Sequence, residues 1–166
     1  MGPHPEAGFE SRDQRYLVRV PDTVVGHVGR LAHAGLPSET GGLLLGTYSG
    51  RRSVLTLRAA LPPPPDSVRS RRTFVRGTEG LSPLVGGVPI DGRLAHVVGE
   101  WHSHPAAPPT PSRTDQAQMT WAAARCLFGC PTPVLLIVGR ELLSPDDWTV
   151  TVFPRWRRLV QTSRLW

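Results

Sequence analysis

Not one lysine occurs in the 166 residues, so all nineteen basic side chains are arginines, set against thirteen acids for a formal charge of +6. A basic balance suits nucleic acid, an anionic membrane or an acidic protein partner. Here the arginines are scattered, with small clusters at Arg69, Arg71 and Arg72 and at Arg155, Arg157 and Arg158. No interleaving of basic and aromatic residues of the kind used by single-strand binders stands out. A solvated basic surface accounts for the charge, and neither nucleic acid nor membrane is an expected partner.

Cysteine is nearly as scarce. Cys126 and Cys130 stand four apart, without the companions of a structural zinc site, and one pair excludes a disulfide framework. The opening MGPHPEAGFESRDQRY has no apolar core and does not read as a secretory signal, and no apolar run approaches a membrane span. These shortages point to a reducing, cytoplasmic setting. Charged residues are only 19% against 39% hydrophobic, which excludes a disordered chain.

What is plentiful is proline, at eighteen, and glycine, at seventeen, which implies many turns. The length suits one domain with one core. Residues 1–15 are expected to be a flexible segment, and 16–166 a single domain. Residues 16–20 read as a strand and 23–34 as a helix, with Val24, Val28, Leu31 and Ala32 at helical spacing and Gly35 at its stop. GGLLLGTYSG, from Gly41, reads as a buried strand, paired with 53–60 through a turn at Ser49, Gly50 and Arg51. The prolines of 61–67 force a surface loop. Residues 72–76 suit a short strand, 77–93 show no clear period, and 95–105 read as a buried strand. A proline-rich loop then leads to a helix from Ser112 to Cys126, expected to pack Met119, Trp121, Ala122 and Leu127 inward. Strands at 134–139 and 146–153 complete the set.

His102 and His104 lie two apart on a strand, so both rings point the same way, within reach of one ion. An isolated pair of this kind is more often two satisfied strand histidines. Ser112 followed three residues later by Asp115 is a capping-box-like pattern that many helices carry for stability alone. Yet the loop from Pro105 to Pro111 would return this helix start to the strand end, placing a carboxylate beside two imidazoles. Two histidine nitrogens and one carboxylate oxygen leave a fourth position for water, as in catalytic zinc sites. Hydrolysis also needs a general base. Glu100 shares strand parity with the histidines and Glu39 stands at the mouth of the GGLLLG strand; spacing does not choose between them.

His102-Ser103-His104-Pro105, the seven positions from His104 to Ser112, and Ser112-Arg113-Thr114-Asp115 resemble the JAMM motif of MPN-domain (JAB) metallopeptidases. Glu39-Thr40-Gly41-Gly42-Leu43-Leu44-Leu45-Gly46 resembles the family's upstream glutamate and its following strand. The resemblance covers roughly residues 23–140. It implies a mixed α/β, cytidine-deaminase-like fold, a curved central sheet flanked by helices with zinc at the sheet edge. It implies His102, His104 and Asp115 as Zn2+ ligands, Glu39 as catalytic acid/base and Ser112 as the oxyanion donor, with Glu100 a neighbour and Trp101 in the core.

The implied substrates are a ubiquitin-like protein and its conjugates, cleaved after the modifier's C-terminus. Residues 73–76 are a candidate edge for an added substrate strand, and Arg69 to Arg72 a candidate contact for an acidic modifier surface. The wording GEWHSHP and PTPSRTD is similar to bacterial stand-alone members, found in operons with activating-like and conjugating-like enzymes, including CBASS anti-phage systems. A sulfur-carrier peptidase and a non-catalytic interaction module are the other classes open to this pattern.

Overall fold

The strand expected near Tyr16 is β2 (Leu17–Pro21), whose Val18 and Val20 alternate into the core while Arg19 faces out. Pro21 ends it and starts α1 (Asp22–Gly35), which buries Val24, Val25, Val28 and Ala32 along one stripe. The chain returns as a hairpin of β3 (Gly41–Ser49) and β4 (Val54–Ala60). The computed structural model describes residues 6–50, 53–84, 86–130 and 132–166. Arg51 of the expected turn and residues 1–5 of the expected flexible segment lie outside the described residues.

Residues 6–11, expected to be loose, instead form β1 (Glu6–Ser11), paired with β2 on one side and with β11 (Val160–Arg164) on the other. The polar letters of this segment mask two core side chains, Ala7 and Phe9. Between them Gly8 lies so close to the Trp166 ring that a β-carbon would strike it. Burial of these alternate positions stabilises the strand although its composition does not announce one.

The proline loop 61–67 carries no strand, as expected, and leads into a separate hairpin of β5 (Val68–Ser70) and β6 (Thr73–Val75). The stretch without a clear period holds β7 (Val88–Ile90), which turns into β8 (Arg93–Ser103). The helix after the second proline loop is α2 (Arg113–Ala124), followed by β9 (Val134–Val138) and β10 (Trp148–Val152).

Nine strands form one sheet in the order β3, β4, β2, β1, β11, β10, β9, β8, β7. Because β3 also pairs with β8, eight of them close into a ring. The result is a mixed α/β fold dominated by a strongly curved sheet. Its larger core joins α1 to Val18, Leu44, Leu55, Trp101 and Leu136, and a smaller one packs Met119 and Ala123 of α2 on Leu135, Ile137 and Phe153. Strand β9 faces both cores, which explains its unbroken apolar run VLLIV. Trp121 and Leu127 depart from the expected inward packing. Both are 56% exposed, because the sheet surface under α2 is narrow and is already covered by Met119, Ala122 and Ala123. Among the described residues no helix is long and apolar enough to cross a membrane.

Candidate metal centre

Two strand pairings set the position of every residue around the histidines. In β3 and β8, Gly41 faces His102 and Gly42 faces Trp101. Beyond the strand end the match continues, with Ser103 N donating to the Thr40 carbonyl at 2.8 Å and Thr40 N donating to Ser103 Oγ at 3.1 Å. This antiparallel step carries Glu39 to the level of His104. A bulge opposite Leu44 and Leu45, at Gly99 with φ of 155°, shifts the face alternation of β8. A β-carbon at Gly99 would run into the Val134 carbonyl. Trp101 and Val98 therefore share the core face, and His102 and Glu100 share the other.

His102 and His104 are both buried, and their Nε2 atoms stand 3.0 Å apart. Asp115 Oδ2 lies 3.7 Å from the first and 4.0 Å from the second. Bonds of about 2.0–2.2 Å at tetrahedral angles would put ligand atoms about 3.4 Å apart, so the three donors converge at the spacing one ion demands. His104 Nδ1 is 2.8 Å from the Pro108 carbonyl oxygen. A carbonyl only accepts, so Nδ1 carries the proton and Nε2 presents its lone pair. The proline loop thereby orients the His104 ring as well as returning the chain. Burial lowers the His102 imidazole from 6.5 to about 4, against the upward pull of Asp115, with a further lowering from His104. His102 can thus offer a neutral nitrogen at ordinary pH, and the set His, His, Asp fits a divalent ion such as zinc.

Asp115 does two things at once. Its Oδ2, the oxygen nearest the histidines, accepts from Ser112 N at 2.7 Å, while Asp115 N donates to Ser112 Oγ at 3.1 Å. The capping box and the donor cluster are the same atoms: closing the helix start aims the carboxylate. Ser112 itself is exposed, and its hydroxyl, having accepted through a lone pair, keeps a proton to donate.

Glu39 is 8% exposed. Burial raises its carboxyl above the ordinary value; His104 partly offsets this and Asp115 adds to it. Its backbone N–H donates to the Ser70 carbonyl at 2.7 Å, tying it to the β5–β6 hairpin. From that hairpin Phe74 packs on Gly41, where a β-carbon would collide with the ring and with the Trp101 carbonyl. Glu100 also faces the site, but as the partner of Arg76, whose Nε donates to its Oε1 at 2.9 Å. Burial raises the Glu100 carboxyl, and Arg76 pulls it back. Residues 73–76 were expected as a strand edge, but the contacts of Phe74 with Gly41 and of Arg76 with Glu100, and the Pro108 carbonyl on His104, were not foreseen from sequence. Nothing in the spacing links Arg76 to a residue 24 positions later, since the link runs through a hairpin folded back over the sheet.

The chain matches the family model described as prokaryotic homologs of the JAB domain over residues 21–157. It is similar to a CD-NTase/cGAS isopeptidase of Enterobacter hormaechei subsp. hoffmannii, with 35% identity over 148 residues covering 89% of this chain and 81% of the relative. A protein named Probable metalloprotease y4qB, of Sinorhizobium fredii, is 25% identical over 143 residues, 80% of this chain and 82% of that one. The solution structure of protein DSY2949 from Desulfitobacterium hafniense superposes with a TM-score of 0.54 at 21% identity, covering 86% of this chain and 87% of the other. That likeness bears on the fold alone.

Proposed function

The chain belongs to the prokaryotic JAB-domain family, and from that premise we propose that it is a zinc-dependent isopeptidase releasing a ubiquitin-like modifier or a conjugated nucleotidyltransferase at its C-terminus. The family and the relatives named isopeptidase and metalloprotease support a hydrolase. The observation that carries the finer reading is the convergence of two imidazole nitrogens and a carboxylate oxygen beside a second, buried carboxylate.

In this reading His102, His104 and Asp115 hold zinc, which when bound supplies Lewis acidity to the scissile carbonyl and to water. Glu39 takes a proton from the attacking water and passes it to the departing amine. A carboxyl raised by burial sits nearer the working pH, where one group can both accept and donate. Ser112 donates its hydroxyl hydrogen to the oxygen on which negative charge develops. Pro108 and the capping box keep His104 and Asp115 aimed, so little reorganisation accompanies each turnover. The substrate class follows the relative whose name pairs an isopeptidase with CD-NTase. It is consistent with precursor maturation or deconjugation in an anti-phage or ubiquitin-like conjugation system, with activating and conjugating enzymes as partners. Both cysteines are free, which suits a reducing cytoplasm.

The test is to incubate the purified protein with a conjugate in which such a nucleotidyltransferase, or a ubiquitin-like protein, is amide-linked through its C-terminus to a lysine. Cleavage at that bond is expected, with one zinc per chain, loss on chelation, recovery on adding zinc, and no metal in His104→Ala. A metal-replete protein that leaves these conjugates intact but cuts a sulfur-carrier fusion would move the substrate and keep the site. A protein that retains no metal sinks the hydrolase reading.

A further inference from the structure

The Arg76–Glu100 ion pair has no part in the steps above. Arg76 Nε donates to Glu100 Oε1 and its Nη1 to the Gly77 carbonyl, each at 2.9 Å. These contacts use two of five guanidinium N–H groups and one carboxylate oxygen. The side chains are 20% and 22% exposed. An ion pair so enclosed adds little net stability, and apolar residues of similar volume commonly serve as well.

Its position is informative. A cleft of about 210 Å³ beside the metal ligands is lined by Phe74, Glu100, His102 and Met119. A larger cleft of about 450 Å³ is lined by Leu43, Leu81, Leu84 and Val97 among others. Arg76, Leu127 and Phe128 line both. Taken together the two clefts form a groove beside β8 whose two halves meet at Arg76, with Glu100 in the half nearer the histidines. This also accounts for the exposure of Leu127, which walls the groove instead of filling a core.

The occupant follows from the place of Glu39. It stands at the level of His104, at the opposite end of the donor cluster from Glu100. A group that hands a proton to the departing amine must lie beside it, so the amine leaves past His104. The acyl side of the substrate then runs over Glu100 into the groove. In an extended chain the N–H and C=O of one residue point to the same edge. A carboxylate oxygen and a guanidinium N–H held side by side complement that pair. Glu100 is two residues from His102, about 7 Å along a strand, which equals two residues of extended substrate.

We infer that Arg76 and Glu100 form a side-chain clamp that hydrogen-bonds both backbone groups of the substrate residue two positions before the one whose carbonyl is cleaved. Because the two charges neutralise each other, the clamp reads backbone and not a charged side chain. This deepens the isopeptidase reading and rests on it.

The test uses the zinc-loaded protein and the amide-linked conjugate above, prepared in parallel with the N–H of that residue replaced by an ester oxygen. Wild type is expected to lose about tenfold in kcat/KM on the ester form, mainly through KM, the loss of about one hydrogen bond to a charged group. Glu100→Ala loses a similar factor on the amide form, no longer distinguishes the two substrates, and keeps its zinc. The apolar pair Arg76→Met with Glu100→Met provides a folded control and behaves as Glu100→Ala does. Equal cleavage of both forms by wild type, or undiminished discrimination by the folded apolar pair, overturns the clamp and leaves the isopeptidase standing. A wild type that cleaves neither form removes both.

Discussion

The two helices lie against the same sheet, yet they are held by different means. Helix α1 buries Val24, Val25, Val28 and Ala32 and has no side-chain cap at its start. Helix α2 buries only Met119, Ala122 and Ala123, but its N-terminus closes a complete capping box. The first is anchored by apolar area, the second by hydrogen bonds at one end, and that end carries Asp115. A helix can do with less buried area provided its start is fixed by hydrogen bonds. The contrast teaches that the α1 face holds the fold together, whereas the α2 end fixes a carboxylate beside two imidazoles.

The most severe break of this contrast lies on the chemical side. Glu39→Gln keeps the volume and the Ser70 hydrogen bond but loses proton transfer, and cleavage is expected to fall by about 10²–10⁴ with zinc content and Tm preserved. Full turnover by the purified variant refutes Glu39 as acid/base.

Acid exposes the second difference, since α1 buries no titratable side chain and the metal centre does. In metal-free protein the folded-state pKa of His102 is about 4 against 6.5 unfolded. As pH falls between these values the unfolded chain binds more protons. Stability present above pH 6.5 is therefore lost progressively toward pH 4, by about 3 kcal/mol for this group. Glu39 acts with the opposite sign: its raised carboxyl contributes stability at low pH that is lost as pH rises through the folded value. Urea titrations of chelated protein from pH 7.5 to 4 should show the histidine loss, and His102→Gln should flatten it. A profile unchanged by that substitution would contradict a buried neutral His102.

Smaller effects separate packing from positioning. Val28→Ala is expected to cost about 2 kcal/mol by denaturant melt while leaving kcat of the folded fraction unchanged. Ser112→Ala should cost only about 1 kcal/mol yet slow cleavage by about 100-fold. Ser112→Asp, which restores a cap acceptor without a hydroxyl, should recover the stability and not the rate. Recovery of both would reduce Ser112 to a cap.

Much of this molecule is legible without coordinates where one local cause suffices. The valines of α1 at helical spacing, the glycine-bounded GGLLLG strand and the proline loops depend on nearby residues, and each appears where expected. Strands β1 and β11 were missed because their few apolar positions acquire meaning only when paired with each other and with β2 and β10. Trp121 and Leu127 were assigned inward because apolar character does not say how wide a surface the helix covers. At the site, strand parity placed Glu100 with the histidines, and it does line their cleft. Parity had no means of supplying Arg76, which engages that carboxylate.

The order of residues alone determined which chemistry was on offer: two imidazoles two apart on a strand, a serine and aspartate three apart at a helix start, and a glutamate before a glycine-rich strand. Periodicity and turn propensity act over a few residues, so these local units form wherever their sequence occurs. Only the tertiary structure decided that they meet. The closure of β3 on β8 carries Glu39 to His104, and the Pro108 carbonyl sets the His104 tautomer. The same closure, with the bulge at Gly99, leaves Glu100 facing Arg76 in a groove instead of the core. The closure itself depends on pairings between residues about 60 positions apart, where register is set by burial of a whole sheet face and not by any neighbour in the chain.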